Sequence, residues 1–140
     1  MKRVRDVMTP QPVTILPTAS VQEAAQLMRD HNLGALLVAD DAGPVSGLIT
    51  DRDIVVRACA EGLSVERTAV ARVCSDESLA MISPDDDLHQ AVLMMREKSI
   101  RRLPVVEDGR PVGIVSLGDL ALAEDPDSAL GEISRAQPNL

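Results

Sequence analysis

Two stretches of this 140-residue chain carry the same three residue types at the same spacing: Gly47, Thr50 and Asp53 in GLITDRD, and Gly113, Ser116 and Asp119 in GIVSLGD. Each puts a hydroxyl, and a carboxylate one turn later, where an apolar strand gives way to a helix. A hydroxyl there presents itself and the first unpaired helix amides to an anion, and the helix dipole adds about 0.3–1 kcal/mol to the attraction. The carboxylate beyond it is well placed to accept from two vicinal hydroxyls. The same spacing is also a capping box, which a helix start uses whether or not a ligand is near. The two copies differ close by: Arg101, Arg102 and Pro104 stand in the second where the first has Gly34, Ala35 and Leu37. A guanidinium able to hold phosphate is therefore available in one copy only. Neighbours on a strand alternate faces, so one Arg is expected inward and the other outward. With Arg96, Lys98 and Arg110 they form a local basic patch.

Other chemistry-bearing residues offer less. Asp85, Asp86 and Asp87 are explained by a helix start, where dipole and capping favour acids, rather than by a magnesium site. His31 and His89 lack the regular spacing to carboxylates or cysteines that a metal centre shows. GxSxG, HExxH, GxxxxGK and GxGxxG are all missing, and only Lys2 and Lys98 supply an amine, so no enzyme is expected. Met94 and Met95 fall at the counterpart positions of Leu27 and Met28 and are expected to fill core space.

Composition narrows the partners. Lys and Arg number 14 against 22 Asp and Glu, a formal net charge of −8, which repels phosphate backbones and anionic bilayers and argues against nucleic-acid or membrane binding. The chain has no Phe, Trp or Tyr, so any ligand ring must be held by aliphatic walls, backbone and polar groups. A hydrophobic content of 45% against 26% charged residues belongs to a folded globular chain. Its apolar runs are as short as ALLVA at 35–39, far below the roughly 20 residues of a membrane span. No secretory pattern opens the sequence, and Cys59 and Cys74 match no metal or redox spacing, so a reducing, cytoplasmic setting is expected.

The elements that must position the two boxes repeat as well. Gly113 follows Gly47 at the same offset as Asp119 follows Asp53 (113 − 47 = 66; 119 − 53 = 66). In each copy a short strand, Val13 to Leu16 or Leu79 to Ile82, precedes a helix capped by Ser20 with Glu23 or by Asp87 with Gln90. Val21, Ala24, Ala25 and Met28, and then Leu88, Ala91, Val92 and Met95, predict one buried helical face. Asn32 and Gly34 suit a left-handed helix stop. Strands at Ala35 to Ala39 and Leu103 to Val106, turns at Asp41 to Pro44 and Glu107 to Pro111, and strands at Val45 to Thr50 and Val112 to Ser116 form hairpins, with helices from about Asp53 and Asp119. The expectation is an α/β (α+β) protein of two β-α-β-β-α repeats packed as a pseudo-twofold pair with a cleft at each glycine turn. A repeat of about 60 residues is marginal alone. The predicted organisation is residues 1–60 as the first repeat with its lead-in, 61–72 as connector, 73–123 as the second repeat and 124–140 as a polar tail.

The duplicated unit, with GLITDRDI at 47–54, IRRLPVVED at 100–108 and GIVSLGDL at 113–120, resembles a tandem pair of CBS domains, a Bateman module. With RDVM at 5–8 and TDRDIVVRA at 50–58 the chain resembles the small stand-alone bacterial CBS pairs of the hypoxic-response type. The resemblance implies a non-enzymatic sensor, usually a homodimer, that binds an adenosine-containing nucleotide such as AMP, ADP or ATP, or a related adenosyl ligand, in the clefts between repeats. It further implies that Thr50 and Ser116 touch phosphate, that Asp53 and Asp119 accept from ribose hydroxyls, and that Gly47 and Gly113 allow close backbone approach. Arg101, Arg102 and Pro104 complete the candidate ligand set. No cofactor is obligatory on this reading, the output passes to an unknown effector protein, and the alternative is a constitutive scaffolding dimer with vestigial clefts.

Overall fold

A computed structural model describes residues 2–41, 43–75, 80–124 and 133. They divide into two units, Val13–Leu79, and Met1–Pro12 together with Ala80–Leu140. Met1–Pro12 thus falls in the unit that holds the second repeat, and residues 61–72 fall in the unit that holds the first.

In the first-repeat unit, β2 (Thr14–Ile15) runs parallel to β3 (Ala35–Ala39), which pairs antiparallel with β4 (Val45–Thr50). Every residue of β3 is buried, the mark of a central strand. A bulge between Val38 and Ala39 leaves Ser46 out of the ladder, and its hydroxyl donates to the Val38 carbonyl at 3.3 Å. Helix α2 (Val21–His31) starts on Ser20, whose Oγ accepts from the Glu23 amide at 3.1 Å, and stops on Asn32 at φ 55°, as predicted. Its buried face is narrower than expected. Val21, Ala24 and Met28 are buried and Ala25 is exposed. At about 100° per residue Ala25 falls outside the arc the other three define. The last strand runs into a single turn, α3 (Asp51–Asp53), then a wider π-helical stretch, Ile54–Cys59. Beyond it, Thr68 is buried, and α4 (Val70–Val73) drives Val70 and Val73 into the same core as Leu36, Val38 and Ile49. Ser75 then exchanges both backbone hydrogen bonds with Leu48.

The second-repeat unit repeats this plan. Its sheet holds β1 (Thr9–Pro10), β6 (Arg110–Ser116) and β5 (Arg102–Glu107) in the order β1-β6-β5, all antiparallel. Asp108 and Gly109, both at positive φ, turn the hairpin. The strand expected from Leu79 to Ile82 is reduced to one parallel bridge, Ile82 with Val105, Leu79 lying outside the described residues. Helix α5 (Leu88–Lys98) starts on Asp87, whose Oδ1 accepts from the Gln90 amide at 2.9 Å, and stops on Ser99 at φ 54°. Leu88, Ala91 and Met95 are buried, whereas Val92 is 36% exposed, the counterpart of the Ala25 result. Of the capping boxes expected at Ser20 and Asp87, only the cap-oxygen half forms among the described residues. Helix α1 (Val4–Val7) buries Val4, and α6 (Leu117–Glu124) buries Leu120. The predicted tail beyond Glu124 lies outside the described residues, Ile133 apart.

Candidate ligand site

Both strand-to-helix junctions close on themselves. The Asp53 amide donates to Thr50 Oγ1 at 3.0 Å and the Thr50 amide donates to Asp53 Oδ2 at 2.9 Å. Ser116 and Asp119 repeat the pair at 3.1 and 2.9 Å. Each junction is also tied to the strand beside it: the Asp51 amide donates to the Gly34 carbonyl at 3.0 Å and the Leu117 amide to the Arg101 carbonyl at 2.9 Å. One oxygen of each carboxylate is therefore committed to the backbone, and the other is the one a ligand can use.

The surroundings differ. Ala35 sits directly across the ladder from Thr50 and is buried, whereas Arg102 sits directly across from Ser116 and is half-buried. Residues paired across a ladder point to the same sheet face, so Arg102 shares the face of Ser116. Arg101 is exposed, and its carbonyl is its link to the junction. Pro104 is buried opposite Ile114, and its carbonyl accepts from the Ile82 amide. Asp53 is buried, with Arg57 Nε 3.7 Å from its Oδ1. Asp119 is half-buried and carries no ion pair among the described residues.

Both glycines are closely approached by residues distant in the chain. A Cβ on Gly47 would lie 3.0 Å from Cys74 Sγ and 3.2 Å from the Ser75 carbonyl oxygen. On Gly113 it would lie 2.6 Å from Met8 Sδ and 2.9 Å from the Thr9 carbonyl oxygen. In both units a helical turn and an extended residue form a strap across the glycine strand. The signal was available: VRDVMT at 4–9 and VARVCS at 70–75 stand at the repeat offset, since 70 − 4 = 66, and match at both valines and in the small hydroxyl at the end.

The acidic run beside the first strap is structural. Asp85 pairs with Arg5, Asp86 Oδ2 accepts from the Ser83 amide at 3.0 Å, and Asp87 caps α5. The Arg5 guanidinium, by hydrogen bond and then by charge, holds the Asp85 carboxyl below the usual carboxylate range. Arg3 donates to the Asp85 carbonyl, and an open depression of about 390 Å³ is lined by Arg3, the three aspartates and Gln90. Among the described residues no three His, Cys, Asp or Glu side chains gather as a metal site, and no helix is long and apolar enough to cross a membrane.

Two small α+β units, each ending a hairpin in the same hydroxyl-carboxylate box, define a duplicated module. The chain belongs to the CBS domain family, which it matches at residues 4–58 and 70–125. It is 44% identical over 138 residues to the CBS domain-containing protein YhcV of Bacillus subtilis, covering 96% of each chain. It is 34% identical over 121 residues to Hypoxic response protein 1 of Mycobacterium tuberculosis, covering 86% of this chain and 84% of that one. Among solved structures, the crystal structure of Hypoxic Response Protein I with two coordinated zinc ions superposes with a TM-score of 0.78 at 30% identity, covering 86% of this chain and 97% of that one. The CBS domain pair of protein MJ0100 in complex with 5′-methylthioadenosine and S-adenosylmethionine also gives 0.78, at 27% identity, covering 87% and 98%.

Proposed function

We propose that the protein is a non-enzymatic, homodimeric cytoplasmic regulator that binds an adenosine-containing ligand at its strand-to-helix junctions and passes the bound state to a separate effector protein. The observation that carries this reading is the second junction. Ser116 and Asp119 are held by reciprocal hydrogen bonds, Asp119 keeps an oxygen clear of ion pairs among the described residues, and Arg102 lies across the ladder from Ser116. In this reading Ser116 and Arg102 take the phosphate of AMP, ADP or ATP and Asp119 takes the ribose diol. Thr50 and Asp53 play the same parts in the first junction. The adenosyl ligands held by the CBS pair of protein MJ0100 support the ligand class. A ligand can shift conformation only as far as it binds one state better than another.

The test is thermal unfolding, followed with an external dye, against AMP, ADP, ATP, 5′-methylthioadenosine and S-adenosylmethionine. At a hundredfold excess over Kd, binding adds about 2.7 kcal/mol, a shift of several degrees. Asp119→Ala should remove most of that shift. No shift with any of the five overturns the reading.

One observation favours a scaffolding dimer without a ligand: both boxes already close on themselves through reciprocal hydrogen bonds, and the strap fills the space beside each glycine. Under that reading Asp53→Ala and Asp119→Ala each cost about 1 kcal/mol of stability and change nothing else.

A further inference from the structure

The two junction carboxylates are in different states. Asp53 is 7% exposed, gives Oδ2 to the Thr50 amide, and has Oδ1 3.7 Å from Nε of Arg57, four residues further along the helix. Asp119 gives Oδ2 to the Ser116 amide in the same way, but the counterpart of Arg57 is Ala123 (123 − 57 = 66), and no cation is paired with Asp119 among the described residues. We infer that Arg57 is a latch on Asp53: it engages the carboxylate oxygen that a ligand diol needs, which makes the first junction the weaker of the two and the second to fill.

A buried carboxylate stripped of its counter-charge is costly, so the pair is kept while the junction is empty. The Arg57 side chain is half exposed and can return to water when displaced. A diol that takes its place brings two neutral donors for one cation, and its affinity is lowered by the difference. Among the described residues no cation is paired with Asp119 to be displaced, and Arg102 adds positive charge on the face of Ser116. Position 57 also falls inside the π-helical stretch, a wide turn that is frequent at functional sites and that the regular α6 lacks.

The inference rests on the proposed reading of the junctions, and one set of titrations separates the two. Calorimetry with 5′-methylthioadenosine and with AMP is carried out on the full chain as wild type, as Asp119→Ala, and as Asp119→Ala combined with Arg57→Ala, Arg57→Gln or Arg57→Lys. With the second junction disabled, Arg57→Ala should tighten binding about two- to fivefold, the range of a partly exposed i,i+4 ion pair, and Arg57→Lys should restore the weaker value. Arg57→Gln keeps the stem without the charge and gives the same reading if the alanine variant is poorly folded. Melting curves run alongside distinguish a prop, whose loss lowers melting without tightening, from a latch. Unchanged or weaker binding without Arg57, or no heat with or without it, overturns the latch. If wild type binds neither compound, the reading of the junctions falls and the latch falls with it.

Discussion

The first-repeat and second-repeat units share a backbone and differ in where they keep positive charge. Their reciprocal boxes agree to within about 0.1 Å, as do the bonds tying each junction to Gly34 or Arg101. Yet the first unit sets its cation one turn into the helix, on the carboxylate, with buried Ala35 facing the hydroxyl. The second sets Arg102 opposite the hydroxyl and leaves the carboxylate clear among the described residues. Backbone capping constrains only the residues of the box, so duplication preserved it. The flanking side chains were free to diverge, and they are what can make two similar junctions bind differently.

The straps give the largest expected contrast. Gly113→Ala forces a Cβ against Met8 and the Thr9 carbonyl, and should cost about 1–3 kcal/mol. Gly47→Ala meets Cys74 and Ser75 at longer distances and should cost less in chemical denaturation. Equal losses would mean that the two straps are equally yielding. Removing Met8 beyond Cβ should recover part of the Gly113→Ala loss, because the clash with the Thr9 backbone remains.

The boxes should be matched where the straps are not. Thr50→Ala and Ser116→Ala each delete one cap oxygen and should each cost about 1 kcal/mol. Only Ser116→Ala should also cost most of the AMP affinity. A stability difference well above that scale would show that burial around Thr50 matters more than the cap.

These contrasts follow how far the sequence could be read. The boxes were legible because a cap is a three-residue affair, and the repeat because glycine, hydroxyl and acid recur at a fixed offset. The strap was not, since Thr9 pairs with Ile114 and Pro10 with Gly113, and nothing local in RDVMTP announces a partner that distant. Its weak likeness to VARVCS was the available hint. The same gap hides the burial of Val70, which lies in the stretch 61–72 and is a core residue. The helical faces were read one residue too wide at Ala25 and Val92, because four apolar positions fit the period equally well and only packing selects among them. Strand alternation left open which arginine shares the face of Ser116, and the register sets Arg102 opposite it. Asp53 and Arg57 have the spacing of a helical ion pair, but charge alone did not distinguish Arg57 from Arg52.

The smallest effect lies at the first strap. The Asp85 carboxyl is lowered by Arg5, so the pair's contribution is present above the unfolded carboxylate value of about 3.9 and is lost as pH falls through the lower folded value. Arg5→Ala should therefore narrow the stability difference from wild type as pH drops below about 4, with little change in the shape of the curve above it. The pair is exposed, and a large effect at neutral pH would contradict this assignment.

The most direct test of the account is a crystal structure of the chain grown with AMP. The prediction is a ribose diol on Asp119 Oδ1 and a phosphate held by Ser116 and Arg102, with the first junction empty or partly filled. Nucleotide bound elsewhere, with both boxes closed and untouched, would contradict it.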